Sequence, residues 1–217
     1  MRVAGCWVVI WTILVTAPAL TGQEAPHFAV GGFAAHATRQ SEGSLTERLT
    51  GVTRGFEGRA VLWRFLIEVR YLEGSLDAAT GDTERDIVEG EAFVGFRPVS
   101  WLTLKAGRRV RNYSTIDINE RWDFWEVRLR AEVALFLPTT RSFALHSYLE
   151  GWRALSADVN VPASVDNSGG GEGGMMLRLT RIPIWSRIGY RIDRANLGDG
   201  TRRETVQQLI FALGIGG

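Results

Sequence analysis

Cysteine is almost absent. Cys6 is the only one in 217 residues, and it lies inside an uncharged N-terminal stretch. Beyond that stretch no thiol remains for a disulfide framework, a metal–thiolate centre or a cysteine nucleophile. Histidine is nearly as scarce, with only His27, His36 and His146. Neither sign of charge dominates: the formal net charge is +1 and no basic run occurs, which argues against nucleic acid as a partner. Long hydrophobic runs are also missing after residue 23. No later segment approaches the ~20 apolar residues of a membrane helix, so a membrane crossing there must use strands.

The N-terminus itself has the layout of a secretory signal peptide. Arg2 supplies a positive start, Trp7 to Val15 an apolar middle, and Ala17-Pro18-Ala19 or Leu20-Thr21-Gly22 a cleavage site. The expected division is residues 1–22 as leader and 23–217 as the mature domain, with a retained anchor as the competing reading.

What the chain has is alternation. Trp125, Val127, Leu129, Ala131, Val133, Leu135 and Leu137 fall on one face, and Glu126, Arg128, Arg130 and Glu132 on the other. A period of two over this length is an extended strand with its faces in opposite environments. Ordinary strands run about 5–6 residues, whereas a strand crossing a bilayer needs about 9–11. The same pattern sets Ile67, Val69 and Tyr71 against Arg64, Glu68 and Arg70; Val88 and Val94 against Glu89 and Glu91; Leu104 against Lys105, Arg109 and Arg111; and Ile188 and Tyr190 against Arg187 and Arg191. Arg108 alone breaks it, on the apolar face. A lipid-facing arginine costs about 2–4 kcal/mol at mid-bilayer and close to nothing at the interface, so it belongs near the outer rim, against a lipid phosphate.

Short turn signals recur about every 40 residues: Gly55-Phe56-Glu57-Gly58, Arg97-Pro98-Val99-Ser100, Pro138-Thr139-Thr140-Arg141 and Arg181-Ile182-Pro183. Polar, Gly-rich segments alternate with them: Arg39–Leu45, Gly74–Thr83, Asn112–Glu120, Ser156–Gly171 and Arg194–Arg202. Counting outward from the turns gives ten strands, roughly 27–38, 45–56, 59–73, 84–97, 100–113, 121–137, 142–155, 172–181, 183–193 and 203–215. If the Gly- and Ala-rich first two fail to form, eight remain. Short turns on one side and long loops on the other put both termini in the periplasm and the loops outside. Trp101 and Trp185 beside turns, and Trp122 and Trp125 beside a loop, fit the two aromatic girdles of such a barrel.

The alternating strands, the Pro-containing turns and the last strand, with Leu209, Phe211, Leu213 and Ile215 on one face, resemble the small outer-membrane β-barrel proteins of Gram-negative bacteria. That resemblance implies a closed antiparallel all-β transmembrane barrel in the outer membrane, expected to be a monomer, with membrane lipid and the barrel-insertion machinery as partners and no cofactor or metal. Members usually end in an aromatic residue; this chain ends Ile215-Gly216-Gly217.

The candidate functional set is the inward charge. Arg64, Arg70, Lys105, Arg109, Arg111, Arg128, Arg130, Arg178, Arg187 and Arg191 are set against Glu68, Glu89, Glu91, Glu126, Glu132 and Glu150. Buried charges must be paired, so the expectation is a structural or narrow-pore barrel filled by Arg–Glu networks. An anion-preferring channel is the alternative, since rings of Arg select anions. An enzyme is not expected. The strand number is similar to that of the omptin proteases, but His146 falls at the turn end, His36 lacks a clear carboxylate partner, and the neighbours His146 and Ser147 point to opposite faces. Asp166–Glu172 lacks calcium-loop spacing and reads as an external loop, where an unknown ligand has room to bind. A soluble lipocalin-like carrier would carry the same alternation with its apolar face inside.

Overall fold

The computed structural model describes residues 27–43, 46–78, 84–115, 119–136, 142–161, 164–179, 181–198 and 202–216. The signal-peptide segment, the Pro138–Arg141 turn and Gly200 lie outside them. The chain forms ten strands: β1 (His27–Glu42), β2 (Glu47–Leu62), β3 (Phe65–Ala78), β4 (Glu84–Val99), β5 (Leu102–Ser114), β6 (Asn119–Phe136), β7 (Phe143–Val159), β8 (Val165–Leu179), β9 (Ile184–Leu197) and β10 (Arg202–Gly216). Each pairs antiparallel with its sequence neighbours, and β1 closes on β10 from Ala29↔Gly216 to Glu42↔Arg203. No free edge remains, so every strand has a partner on both sides.

Closure gives the alternation its meaning. Phe28, Ile67, Val94, Leu129, Ile188, Phe211 and Leu213 are exposed on the outer wall, while Arg39, Glu89, Arg109, Glu126 and Arg191 are buried within. An apolar exterior around a charged interior is the reverse of a lipocalin, and that alternative falls. The interior is not wholly ionic. Phe33, Ala35, Leu49, Leu72, Leu76 and Ile210 belong to a buried apolar cluster, and charge fills the remainder of the cross-section.

Strand boundaries differ from the sequence expectation in one consistent way: glycine does not break these strands. Gly55-Phe56-Glu57-Gly58 is not a turn but the middle of β2, and the chain reverses at Trp63-Arg64. The glycines there admit a neighbouring strand, since a Cβ on Gly55 would lie 1.9 Å from the Tyr71 carbonyl oxygen. Trp63 takes φ 56°, a left-handed conformation that lets two residues close the turn. Likewise Asp166–Glu172 is strand, not loop, with Gly169 and Gly170 in register against Arg194 and Asp193. The segments 43–46, 79–83, 115–118, 160–164 and 198–201 that join strands at one end run four or five residues, and 63–64, 100–101, 137–142 and 180–183 at the other run two to six. The expected contrast between long loops and short turns shrinks to little. We call these the loop end and the turn end, the latter carrying both termini.

Candidate functional site

Parity decides what enters the lumen. Inward positions are odd on β1, β2, β4, β5 and β9, and even on β3, β6, β8 and β10, as the buried residues of each strand show. The charges so collected form three tiers.

At the loop end, Arg39, Arg85 and Arg202 meet Glu47, Glu120 and Glu204. Arg39 lies 3.0 Å from Glu47 and 2.9 Å from Glu204. Arg85 reaches Glu47 and Arg202 reaches Glu120, each at 2.9 Å. Tyr113 donates to Glu204 at 3.2 Å and Trp122 Nε1 to Glu120 at 2.8 Å, holding both carboxylates in place. The Arg39 guanidinium also sits 4.1 Å over the Tyr113 ring.

The middle tier joins Arg109, Arg111, Arg128 and Arg191 to Glu89, Glu91, Glu126 and Asp193. Glu126 bridges Arg109 at 2.6 Å and Arg128 at 2.8 Å. Arg191 contacts Glu91 at 2.6 Å and Asp193 at 3.0 Å, and Asp193 also accepts from Trp152 Nε1 at 2.9 Å. Arg111 pairs with Glu89, and with Asp193 at 3.1 Å. Cations and carboxylates balance four to four. Arg109 is 1% and Arg191 0% exposed.

The turn-end tier is looser. Lys105 is held by Glu68 at 2.8 Å and Glu150 at 2.9 Å, and Arg187 by Glu172 and Glu57. Tyr148 donates to Glu172 at 2.7 Å. By contrast Arg70 reaches Glu172 only at 3.4 Å, Arg130 reaches Glu132 at 3.5 Å and Glu150 at 3.6 Å, and Arg178 reaches Glu132 at 3.8 Å. A cavity of about 90 Å³ opens among them, lined by Arg59, Arg70, Arg130, Glu68, Glu150 and Glu172 among others.

The sequence reading placed most of these charges and erred where its turns or parities were wrong. Arg64 is not in the lumen: it sits exposed on the β2–β3 turn, 5.7 Å from the Trp63 ring. Arg178 faces inward, yet 39% of its side chain is exposed at the open end. Trp122 and Trp185 are not girdle residues. Trp122 is three positions from Trp125, hence on the opposite face, and it stacks inside against Phe124 at 5.8 Å. Trp185 is on the inward parity of β9 and only 6% exposed, its ring filling the space that Cβ atoms on Gly31 and Gly214 would occupy. Trp125 is exposed outside, Trp101 is half-buried at its turn, and Trp63 is an exposed turn-end aromatic that the reading missed. Also missed were Arg39, Glu57, Arg59, Glu120, Glu172, Asp193 and Glu204, most of them in segments taken for loops or turns. Arg108 does face outward, and its charge is met by Asp123, with Nε 2.8 Å from the carboxylate. His146 lies 3.4 Å from Glu132 at the turn end.

No protein-family model and no curated protein matches the chain. Solved structures of Gram-negative outer-membrane barrels do. Neisserial surface protein A aligns at 12% identity over 88% of this chain and 99% of that one, with a TM-score of 0.36. The translocator domain of the autotransporter NalP from Neisseria meningitidis aligns at 10% identity over 87% and 88%, with a TM-score of 0.40. The transport unit of the autotransporter AIDA-I from Escherichia coli aligns at 8% identity over 97% of both, with a TM-score of 0.43. The likeness is one of barrel architecture.

Proposed function

We propose that this chain is an integral outer-membrane barrel with an occluded lumen, a structural protein without enzymatic activity. The observation that carries the reading is the middle tier, where four guanidiniums and four carboxylates neutralise one another among fully buried side chains. A selective pore lines a free path with charges of one sign; a matched, dehydrated set plugs it. All but one of the cations above are Arg rather than Lys, and Lys105 is the only lysine of the chain. Guanidinium suits such a plug, because its rigid planar fork can engage two carboxylates at once. Against catalysis, His146 is met by Glu132 and the adjacent Ser147 points to the opposite face of β7, so no nucleophile–base pair forms there.

Planar-bilayer conductance of the purified barrel tests this. We expect no steady current from the wild type. A persistent anion-selective conductance would replace the closed barrel with a channel.

A further inference from the structure

The turn-end cavity is lined by one more cation than carboxylate. Its cations are Arg59, Arg70, Arg128, Arg130, Arg178 and Arg187, and its carboxylates Glu57, Glu68, Glu91, Glu150 and Glu172. The odd member is Arg59. It points inward from β2 and lines the cavity, yet among the described residues it forms no ion pair. An uncompensated cation in a confined interior is costly unless something neutralises it.

No described residue takes up the neighbouring donors either. Arg59 Nε, Arg70 Nε and Nη2, and Arg130 Nε are buried without hydrogen-bond partners. Arg70 and Arg130 are each only 8% exposed, and both line the same cavity as Arg59. Their guanidiniums are fixed from behind, Arg70 lying 4.5 Å over the Phe33 ring and Arg130 4.2 Å over the Tyr148 ring. Two anchored forks and Arg59, all with idle N–H groups, surround a space of about 90 Å³ and form a cradle for an acceptor-rich anion. The loop-end and middle tiers, balanced three to three and four to four, have no such deficit.

We propose that this turn-end chamber is a binding site for one small oxyanion of the phosphate type, held by Arg59, Arg70 and Arg130. The cavity reaches Ala29 and Gly216, which pair in the row of the β1–β10 seam nearest the turn end, so the ligand enters from that end. A free phosphate and the headgroup of an adjacent lipid share this chemistry. The site does not require the lumen to be sealed, so a conducting barrel leaves it intact.

The test uses the full barrel folded in a neutral, phosphate-free detergent. Thermal unfolding is followed while inorganic phosphate is added, in parallel with short-chain phosphatidic acid and with chloride at matched ionic strength. Phosphate is expected to raise the midpoint and chloride to leave it unchanged; stabilisation by phosphatidic acid alone would assign the site to a lipid headgroup. Arg59→Gln should weaken the stabilising anion at least about tenfold, since a hydrogen bond to a charged group is worth a factor of that order. The same variant removes the uncompensated charge, so without anion it should fold at least as stably as the wild type. Arg64→Gln, on the exposed turn, should behave as wild type throughout. No anion-specific shift in the wild type, or an undiminished shift in Arg59→Gln, would overturn the site.

Discussion

Two glutamates of β6 that look alike in sequence differ sharply in place. Glu126 is 1% exposed and bridges Arg109 and Arg128 at 2.6 and 2.8 Å. Glu132, three rows nearer the turn end, keeps 18% of its side chain exposed and meets its arginines only at 3.5 and 3.8 Å. Removing one partner of a buried pair strands a charge and costs roughly 3–5 kcal/mol, whereas a loose, hydrated pair is worth about 0–1 kcal/mol. Glu126→Ala should therefore lower the unfolding midpoint in detergent strongly, and Glu132→Ala clearly less. Equal losses would mean that the middle tier is as wet as the open end. Such depth differences are invisible in the chain: alternation marks a residue as inward, but its level and partner depend on register with strands tens of residues away. That is why Glu68, Glu89 and Glu91 were legible as lumen residues while their partners Lys105, Arg111 and Arg128 could not be assigned to them.

At the level of elements, legibility followed side-chain bulk. β6 was plain because large apolar and long charged residues alternate along it; β2 and β8 were not, because glycines blank out the pattern. The glycines are themselves the reason these strands fit. A Cβ at Gly51 would lie 1.9 Å from the Ser75 carbonyl oxygen, and one at Gly55 1.9 Å from that of Tyr71. β2 and β3 approach more closely there than side chains allow. Backbone oxygens in a ladder cannot step aside without breaking hydrogen bonds, and overpacking typically costs about 1–3 kcal/mol. Gly55→Val should thus shift the folded, faster-migrating band on unboiled gels toward the unfolded one at lower temperature. Gly90 is the control: nothing lies within 4 Å of its added Cβ, so Gly90→Val should leave the transition in place. A tolerated Gly55→Val would show that β2 and β3 stand further apart than described. The misplaced turn had a second consequence, since it put Arg64 in the lumen and left Arg59, the unpaired cation, at a strand end.

The whole molecule is asymmetric along its axis, and this asymmetry replaces the loop-length argument for orientation. Toward the turn end the outer wall is apolar on all sides, through Phe28, Leu62, Phe65, Val94, Val133 and Leu213, all exposed. Toward the loop end it turns polar at a common level. Arg54 lies 3.7 Å from Glu73, Arg108 pairs with Asp123, Tyr71 donates to Glu73 at 3.0 Å and Tyr190 to Gln207 at 2.9 Å. Above that level Asp158, Asn160, Asp166 and Arg203 are exposed. Strands of 13 to 18 residues exceed the roughly 9–11 that a bilayer needs, so the polar rows are surplus length standing in water. Charged outer rows at that end would be costly in hydrocarbon, which fixes the depth of the barrel. An outer-membrane barrel carries its projecting strands and loops on the outside and its turns in the periplasm. A cysteine at Asn160 should therefore react in intact cells with a reagent that cannot cross the membrane, and one at Ser100 should react only after lysis. Ser168→Cys, whose parent is 5% exposed inside the wall, should stay unreactive in both, a check that labelling reports side and not mere presence. Labelling at Ser100 in intact cells, with Asn160 silent, would turn the barrel upside down and place the phosphate chamber on the cell surface.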